Sequence, residues 1–137
     1  GASDKFISFF YVVLDLKTRR LTYCNCGHNP PILKRANGSI ERLHAGGTLI
    51  GLRSGELFQE ALVSLGRGDQ LVLFTDGLSE VENAAGEQYG EDRIAQGLRM
   101  GKIGDAEETL DSIMQGVSEH CGGTFTDDAT ALVLSTL

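Results

Sequence analysis

The sequence has no run of about 18 consecutive apolar residues, so it offers no candidate for a membrane-crossing helix. It has no basic excess either. Lysine and arginine number 12 against 19 aspartates and glutamates, a formal net charge of −7. No basic stripe is present to meet a phosphate backbone, so a nucleic-acid partner is not expected. A phosphorylated substrate is not excluded, because bound divalent cations reverse the sign of a local site. Histidine and cysteine are scarce, at three each. Neither is framed by a motif that would mark a Ser-His-Asp or cysteine nucleophile. An odd cysteine count, with no basic and apolar leader behind Gly1-Ala2-Ser3, fits reduced thiols. A cytoplasmic location is the expectation. Internal repeats, low-complexity stretches and linkers are absent.

What is present is an ordinary globular mix over 137 residues, 41% hydrophobic and 23% charged. This suits one domain, 1–137, with its own core. Strand signals dominate the first half. Residues 6–14, FISFFYVVL, read as a buried strand, and 21–26, LTYCNC, as its hairpin partner after a polar turn at 15–20. Residues 31–35 and 39–43 read as a second hairpin turned by Asn37-Gly38. Residues 44–55 form a glycine-rich loop. Residues 56–65 read as a strand, with a helix as the alternative, and GRGD, 66–69, as a turn into the strand QLVLF, 70–74. Helices come later. Ile94 and Leu98 pattern a short one over 90–100. Leu110, Ile113, Met114, Val117 and Cys121 give 105–121 one apolar face, with Asp105 as cap and Glu108 in capping-box position. TALVLST, 130–136, closes as a strand. Many strands and two late helices make an α+β domain.

Two places carry acids at strand ends. LVLFTDGLSE, 71–80, runs an apolar strand into Asp76-Gly77, and FTDDAT, 125–130, sets Asp127 and Asp128 just before the last strand. If those strands pair antiparallel, the end of one lies beside the start of the other, about 4.8 Å away. The carboxylates of Asp76 and Asp127 then converge at the rim of the sheet. Gathered acids need a proton or a cation between them. An all-oxygen cluster suits Mg²⁺ or Mn²⁺. Gly77 fits, because a side chain there would crowd the approach to the ion. The bland alternative is that Asp-Gly is a turn and Asp-Asp a strand entry.

In order, GHNPPILKR, GGTLIGL, GDQLVLFTDGLSEVENAAGEQYG and DDATALVL resemble the metal-dependent serine/threonine protein phosphatases of the type 2C superfamily. Within it they resemble the bacterial branch that holds the sporulation stage II E phosphatase and the phosphatases of sigma-factor partner switching. The resemblance runs from about Phe6 to Leu134. It implies an αββα sandwich of mostly antiparallel sheets with two Mn²⁺ or Mg²⁺ ions at one edge. It implies Asp76 and Asp127 as metal ligands. Asp128 takes a place that is often Asn in relatives and belongs beside the ligands, as does Gly77. His28 follows Gly27 where eukaryotic relatives carry Gly-Asp, which sets it at the edge of the site.

The implied activity is hydrolysis of phosphoserine or phosphothreonine on a regulatory protein, of the anti-anti-sigma type, by a two-metal-activated water. The alternative is a non-catalytic, phosphatase-like module that docks such a partner. The family also carries an earlier Asp-Gly segment whose acids bridge the ions, and no such segment occurs among these residues. The chain is therefore expected to be the C-terminal portion of a phosphatase domain, with weak metal binding and turnover by itself. A sensor or receiver domain ahead of it is usual in the family, and an oligomer is open.

Other constellations have plainer readings. Cys24, Cys26 and His28 alternate along one strand face and, with His120 or Cys121, number enough for zinc. Buried apolar cysteines are the simpler account. His44 reads as a surface residue, and 45–52 lack the spacing of a nucleotide-binding loop. Arg67 and Asp69 read as turn residues. Glu80, Glu82 and Glu87 read as solvated, with Glu80 placed to orient the loop after Asp76.

Overall fold

The computed structural model describes residues 6–7, 9–26, 29–44, 50–51, 61–123, 125 and 128–136. The chain divides into two compact units: 1–30 with 43–65, and 31–42 with 66–137.

The regular elements described in the first unit are all strands. β1 (Phe6–Ile7) pairs with β6 (Ile50–Gly51). β2 (Phe9–Asp15), β3 (Arg20–Cys26) and β7 (Ala61–Ser64) form a three-stranded antiparallel sheet in the order β2-β3-β7. The β2–β3 hairpin closes where the sequence places its polar turn. There the Asp15 carboxylate accepts from the backbone N–H groups of Lys17 (2.9 Å) and Thr18 (3.2 Å). These bonds favour the ionised acid and hold its pKa below the ordinary 3.8. β2 is less buried than its composition suggests: Val13 is 61% exposed. The period of two explains this, because Val13, Thr22 and Leu62 lie in register on one face, while Leu14, Leu21 and Val63 line the other. Of the 56–65 segment, 61–64 form a strand and 56–60 lie outside the described residues.

The second unit contains a four-stranded antiparallel sheet in the order β5-β4-β8-β9 and three helices. β4 (Ile32–Lys34) and β5 (Ile40–Arg42) make the hairpin expected at Asn37-Gly38, and Gly38 takes φ +90 in its turn. β8 (Gln70–Phe74) lies between β4 and β9 (Ala131–Ser135). β8 is buried at alternate and adjacent positions alike, Leu71, Val72 and Phe74 included, and a strand covered on both faces suits the continuous apolar run 71–74. α1 is the single turn Asp76–Ser79, α2 spans Glu91–Met100 and α3 spans Ala106–Cys121. α2 and α3 bury Ile94, Leu98, Ile113 and Val117 with Ile32, Val72 and Phe74 of the sheet, and with Leu78 of α1.

Local chemistry sets the helix ends. Asp105 caps α3 by accepting from Glu108 N–H at 2.9 Å. Gly122, at φ 66, ends it, and Gly123 N–H reaches back to Ser118 O at 2.8 Å. α2 stops at Gly101, where a Cβ would lie 2.2 Å from Thr109 Oγ1. The ammonium of the buried Lys34 donates to Gly101 O at 2.8 Å, placing positive charge at the helix C-terminus. Gln70, buried on β8, donates to Lys102 O (3.0 Å) and Ser135 Oγ (2.7 Å) and accepts from Thr109 Oγ1 (3.2 Å).

Asp69 is not a simple turn residue. Its carboxylate is buried and accepts from Gly66 N–H (2.7 Å), Ala36 N–H (2.9 Å) and Arg35 Nη1 (2.9 Å). It joins the turn before β8 to the β4–β5 hairpin.

Candidate metal centre

The antiparallel pairing required of the two acid-bearing segments is present. β8 and β9 run in register from Gln70↔Ser135 to Phe74↔Ala131. The end of β8 therefore lies beside the start of β9. One residue further, Thr75 N–H donates to Thr130 O at 3.0 Å, and Thr130 N–H donates to Thr75 Oγ1 at 3.0 Å.

The chain then turns into α1. Leu78 N–H donates to Thr75 O at 2.9 Å, and Glu80 N–H donates to Asp76 O at 2.8 Å. Leu78 is fully buried and pins this turn to the core. The loop that follows folds back on it, since Tyr89 N–H donates to Val81 O (2.7 Å) and Gly90 N–H to Ser79 O (2.8 Å). Asp76 is thus the first residue of an anchored turn, with its side chain exposed.

Gly77 shows how near the two segments come. A Cβ at this position would lie 1.7 Å from Asp128 O and 2.7 Å from Asp128 C. Only glycine permits that approach of backbone to backbone. The sequence reading gave Gly77 the task of leaving an ion's approach clear. What the structure shows is a packing role, seating the 128–130 segment against α1.

Asp128 lies at this junction with an exposed side chain. Asp127 and His28 lie outside the described residues. The exposed acids here offer carboxylate oxygens, a hard donor set that fits Mg²⁺ or Mn²⁺. Among the described residues, no group of three or more His, Cys, Asp or Glu side chains gathers as a cage. Of the residues weighed for zinc, Cys24 is wholly buried and Cys121 is half-buried, its thiol 3.6 Å from Ser118 O. His44, Glu80, Glu82 and Glu87 are exposed, as read.

Thr75 escaped the sequence reading. Its signal was a hydroxyl residue set between the last apolar residue of a strand and an Asp-Gly pair. A second unanticipated cluster lies further along. The Arg93 guanidinium pairs with Glu87 and holds that carboxyl below its ordinary 4.5. It also stands 5.9 Å from the Tyr89 ring centroid. His120 meets the same ring edge-on and lies 2.7 Å from Glu87 O through Nε2.

The family model of stage II sporulation protein E (SpoIIE) matches residues 1–137. Protein IcfG of Synechocystis is 27% identical over 135 residues, 98% of this chain and 21% of that protein. The phosphoserine phosphatase RsbU of Bacillus subtilis is 25% identical over 133 residues, 96% of this chain and 39% of that protein. Among solved structures, the phosphatase domain of the cell fate determinant SpoIIE from Bacillus subtilis, presoaked with Mn, superposes with a TM-score of 0.73 at 20% identity. That match covers 94% of this chain and 56% of the other, and it shows a shared fold. The chain thus spans well under two thirds of each of these proteins. With its whole length matched by one family model and its antiparallel α+β fold shared with a phosphatase domain, the chain belongs to the SpoIIE family.

Proposed function

We propose that this chain carries part of the metal-holding edge of a metal-dependent phosphatase that hydrolyses phosphoserine or phosphothreonine on a regulatory protein, of the anti-anti-sigma type, in the cytoplasm. The observation that carries the reading is the close approach of Gly77 to the Asp128 backbone, which sets the Asp76-Gly77 turn against the segment that carries Asp128 at the end of the β8–β9 pair. Support comes from RsbU, named a phosphoserine phosphatase, and from the SpoIIE phosphatase domain handled with Mn.

In this reading Asp76 and Asp127 hold a divalent ion through carboxylate oxygens and transfer no proton. Asp128, Gly77 and His28 sit at the margin of the site. A pair of bound Mn²⁺ or Mg²⁺ ions supplies positive charge for the phosphoryl oxygens and a water acidic enough to attack near neutral pH. The protein's own share is placement. β8 and β9 hold two acid-bearing segments side by side, and the buried Leu78 fixes the turn that carries Asp76. Two carboxylates are few for two divalent ions, so bridging acids from an additional segment of the phosphatase domain complete the set in this proposal. The parent protein is proposed to couple this activity to a sensor or receiver domain.

The test is Mn²⁺-dependent phosphate release from a phosphoserine protein by the full-length parent. Asp76→Asn is expected to lower that rate by about a hundredfold or more, the scale of lost electrostatic stabilisation. Full activity in Asp76→Asn removes the ligand assignment. Binding of the phosphoprotein without any turnover in the wild type would instead favour a docking module.

A further inference from the structure

We infer that Thr75 is a positioning residue of the metal centre: its hydroxyl replaces its own backbone carbonyl in the β8–β9 ladder, so that the chain can turn into α1 without releasing the segment that carries Asp128. The inference rests on the proposed role of Asp76 and Asp127.

In an antiparallel pair of the hydrogen-bonded type, opposed residues exchange both N–H to O=C bonds. Thr75 and Thr130 make one of the two in the ordinary way, Thr75 N–H to Thr130 O at 3.0 Å. The return bond does not reach the Thr75 carbonyl, which accepts instead from Leu78 N–H at 2.9 Å and so begins α1. Thr130 N–H goes to Thr75 Oγ1, again at 3.0 Å. The hydroxyl stands in for the carbonyl that the helix has taken.

Threonine at a helix N-cap ordinarily turns its oxygen onto the first turn of its own helix. Thr75 occupies the N-cap of α1 with extended φ −96 and ψ 162, and it makes no such side-chain bond. Its oxygen is committed across the strands. The tie lies one residue from Asp76 and within three residues of both Asp127 and Asp128. It therefore acts on the separation of the two acid-bearing segments more than on the core beneath them.

Side-chain chemistry makes this separable. Thr75→Val keeps shape and branching but removes the acceptor, leaving Thr130 N–H without its partner. Thr75→Ser keeps the acceptor. In the full-length protein, Mn²⁺ binding is read directly from the electron paramagnetic resonance signal of free Mn²⁺, alongside Mn²⁺-dependent phosphate release. Thr75→Val is expected to weaken Mn²⁺ binding about tenfold, the weight of one hydrogen bond, while Thr75→Ser stays within about twofold of wild type. The rate at saturating Mn²⁺ is expected to stay near wild type, a split that a general loss of folding would not produce.

Asp76→Asn serves as the reference. If Asp76→Asn loses Mn²⁺ while Thr75→Val binds it like wild type, the inference about Thr75 fails and the site stands. If Asp76→Asn binds Mn²⁺ normally, the metal reading fails and takes this inference with it. Should Thr75→Val not fold, amide exchange of the wild type and Thr75→Ser decides. Thr130 N–H must exchange as slowly as the β8–β9 ladder, and exchange at the rate of an exposed loop would overturn the proposal.

Discussion

At the scale of single residues, the fold depends on a few positions where only one side chain fits. Gly77 is the sharpest. A methyl group 1.7 Å from a carbonyl oxygen cannot be accommodated by a rotamer change, so Gly77→Ala must move backbone. The expected cost is about 3 kcal/mol in denaturant unfolding, the upper range for overpacking, with Mn²⁺ binding reduced as the segments part. The meeting of the two segments was legible in the sequence, because an apolar strand ending on Asp-Gly and a late strand opening after an acid can pair antiparallel. The reason for the glycine was only half legible, since a backbone contact with a residue 51 positions away leaves no mark on local composition. Asp69 was missed for a related reason. Its type and its place in GRGD signal a turn, yet two of its three partners, Arg35 and Ala36, belong to a hairpin more than 30 residues earlier.

Among the elements, the clearest reading was of those with strong periodicity or unbroken apolar runs. β8, β9 and α3 appear within a residue or two of their expected bounds, and Asp105 caps α3 as expected. α1 was not read, because Asp-Gly signals a turn by local preference and the buried Leu78 supplies the tertiary reason to coil instead. Neither was the anchoring of α2 by Lys34, a charged residue in a strand that one would place outside.

Burial lowers the pKa of Lys34 from the ordinary 10.5. A lysine so shifted binds its proton less readily folded than unfolded. In the window just below 10.5 the unfolded chain therefore carries more protons, and this group makes stability rise with pH. Lys34→Met removes that contribution along with the bond to Gly101. Urea midpoints of wild type and Lys34→Met, compared from pH 8 to 10.5, should show the wild type gaining on the variant as pH increases. A constant difference would contradict the assignment.

For the molecule as a whole, acid is the condition that weakens both units. Asp15 lies in one and Glu87 in the other, and each is held below its ordinary pKa, by backbone N–H bonds and by Arg93 respectively. A depressed carboxyl contributes stability that is complete above the unfolded value and is lost as pH falls through the folded one. Both groups are exposed, so each contribution is small. Thermal melts should stay level down to about pH 5 and fall below pH 4.5 and 3.8 in turn, with Arg93→Met flattening the first part of that loss. The net charge of −7 at neutral pH reaches zero near the pI of about 4.8 and turns positive below it, so solubility should pass through a minimum there and recover in stronger acid.

The seam between α1 and the last strand is built from main-chain atoms and one threonine hydroxyl. Asp76→Asn leaves the donor and acceptor of each of these bonds in place. A chemically silenced protein can therefore keep its native outline. Asp76→Asn should keep a urea midpoint near that of the wild type, which a variant silenced by unfolding would not.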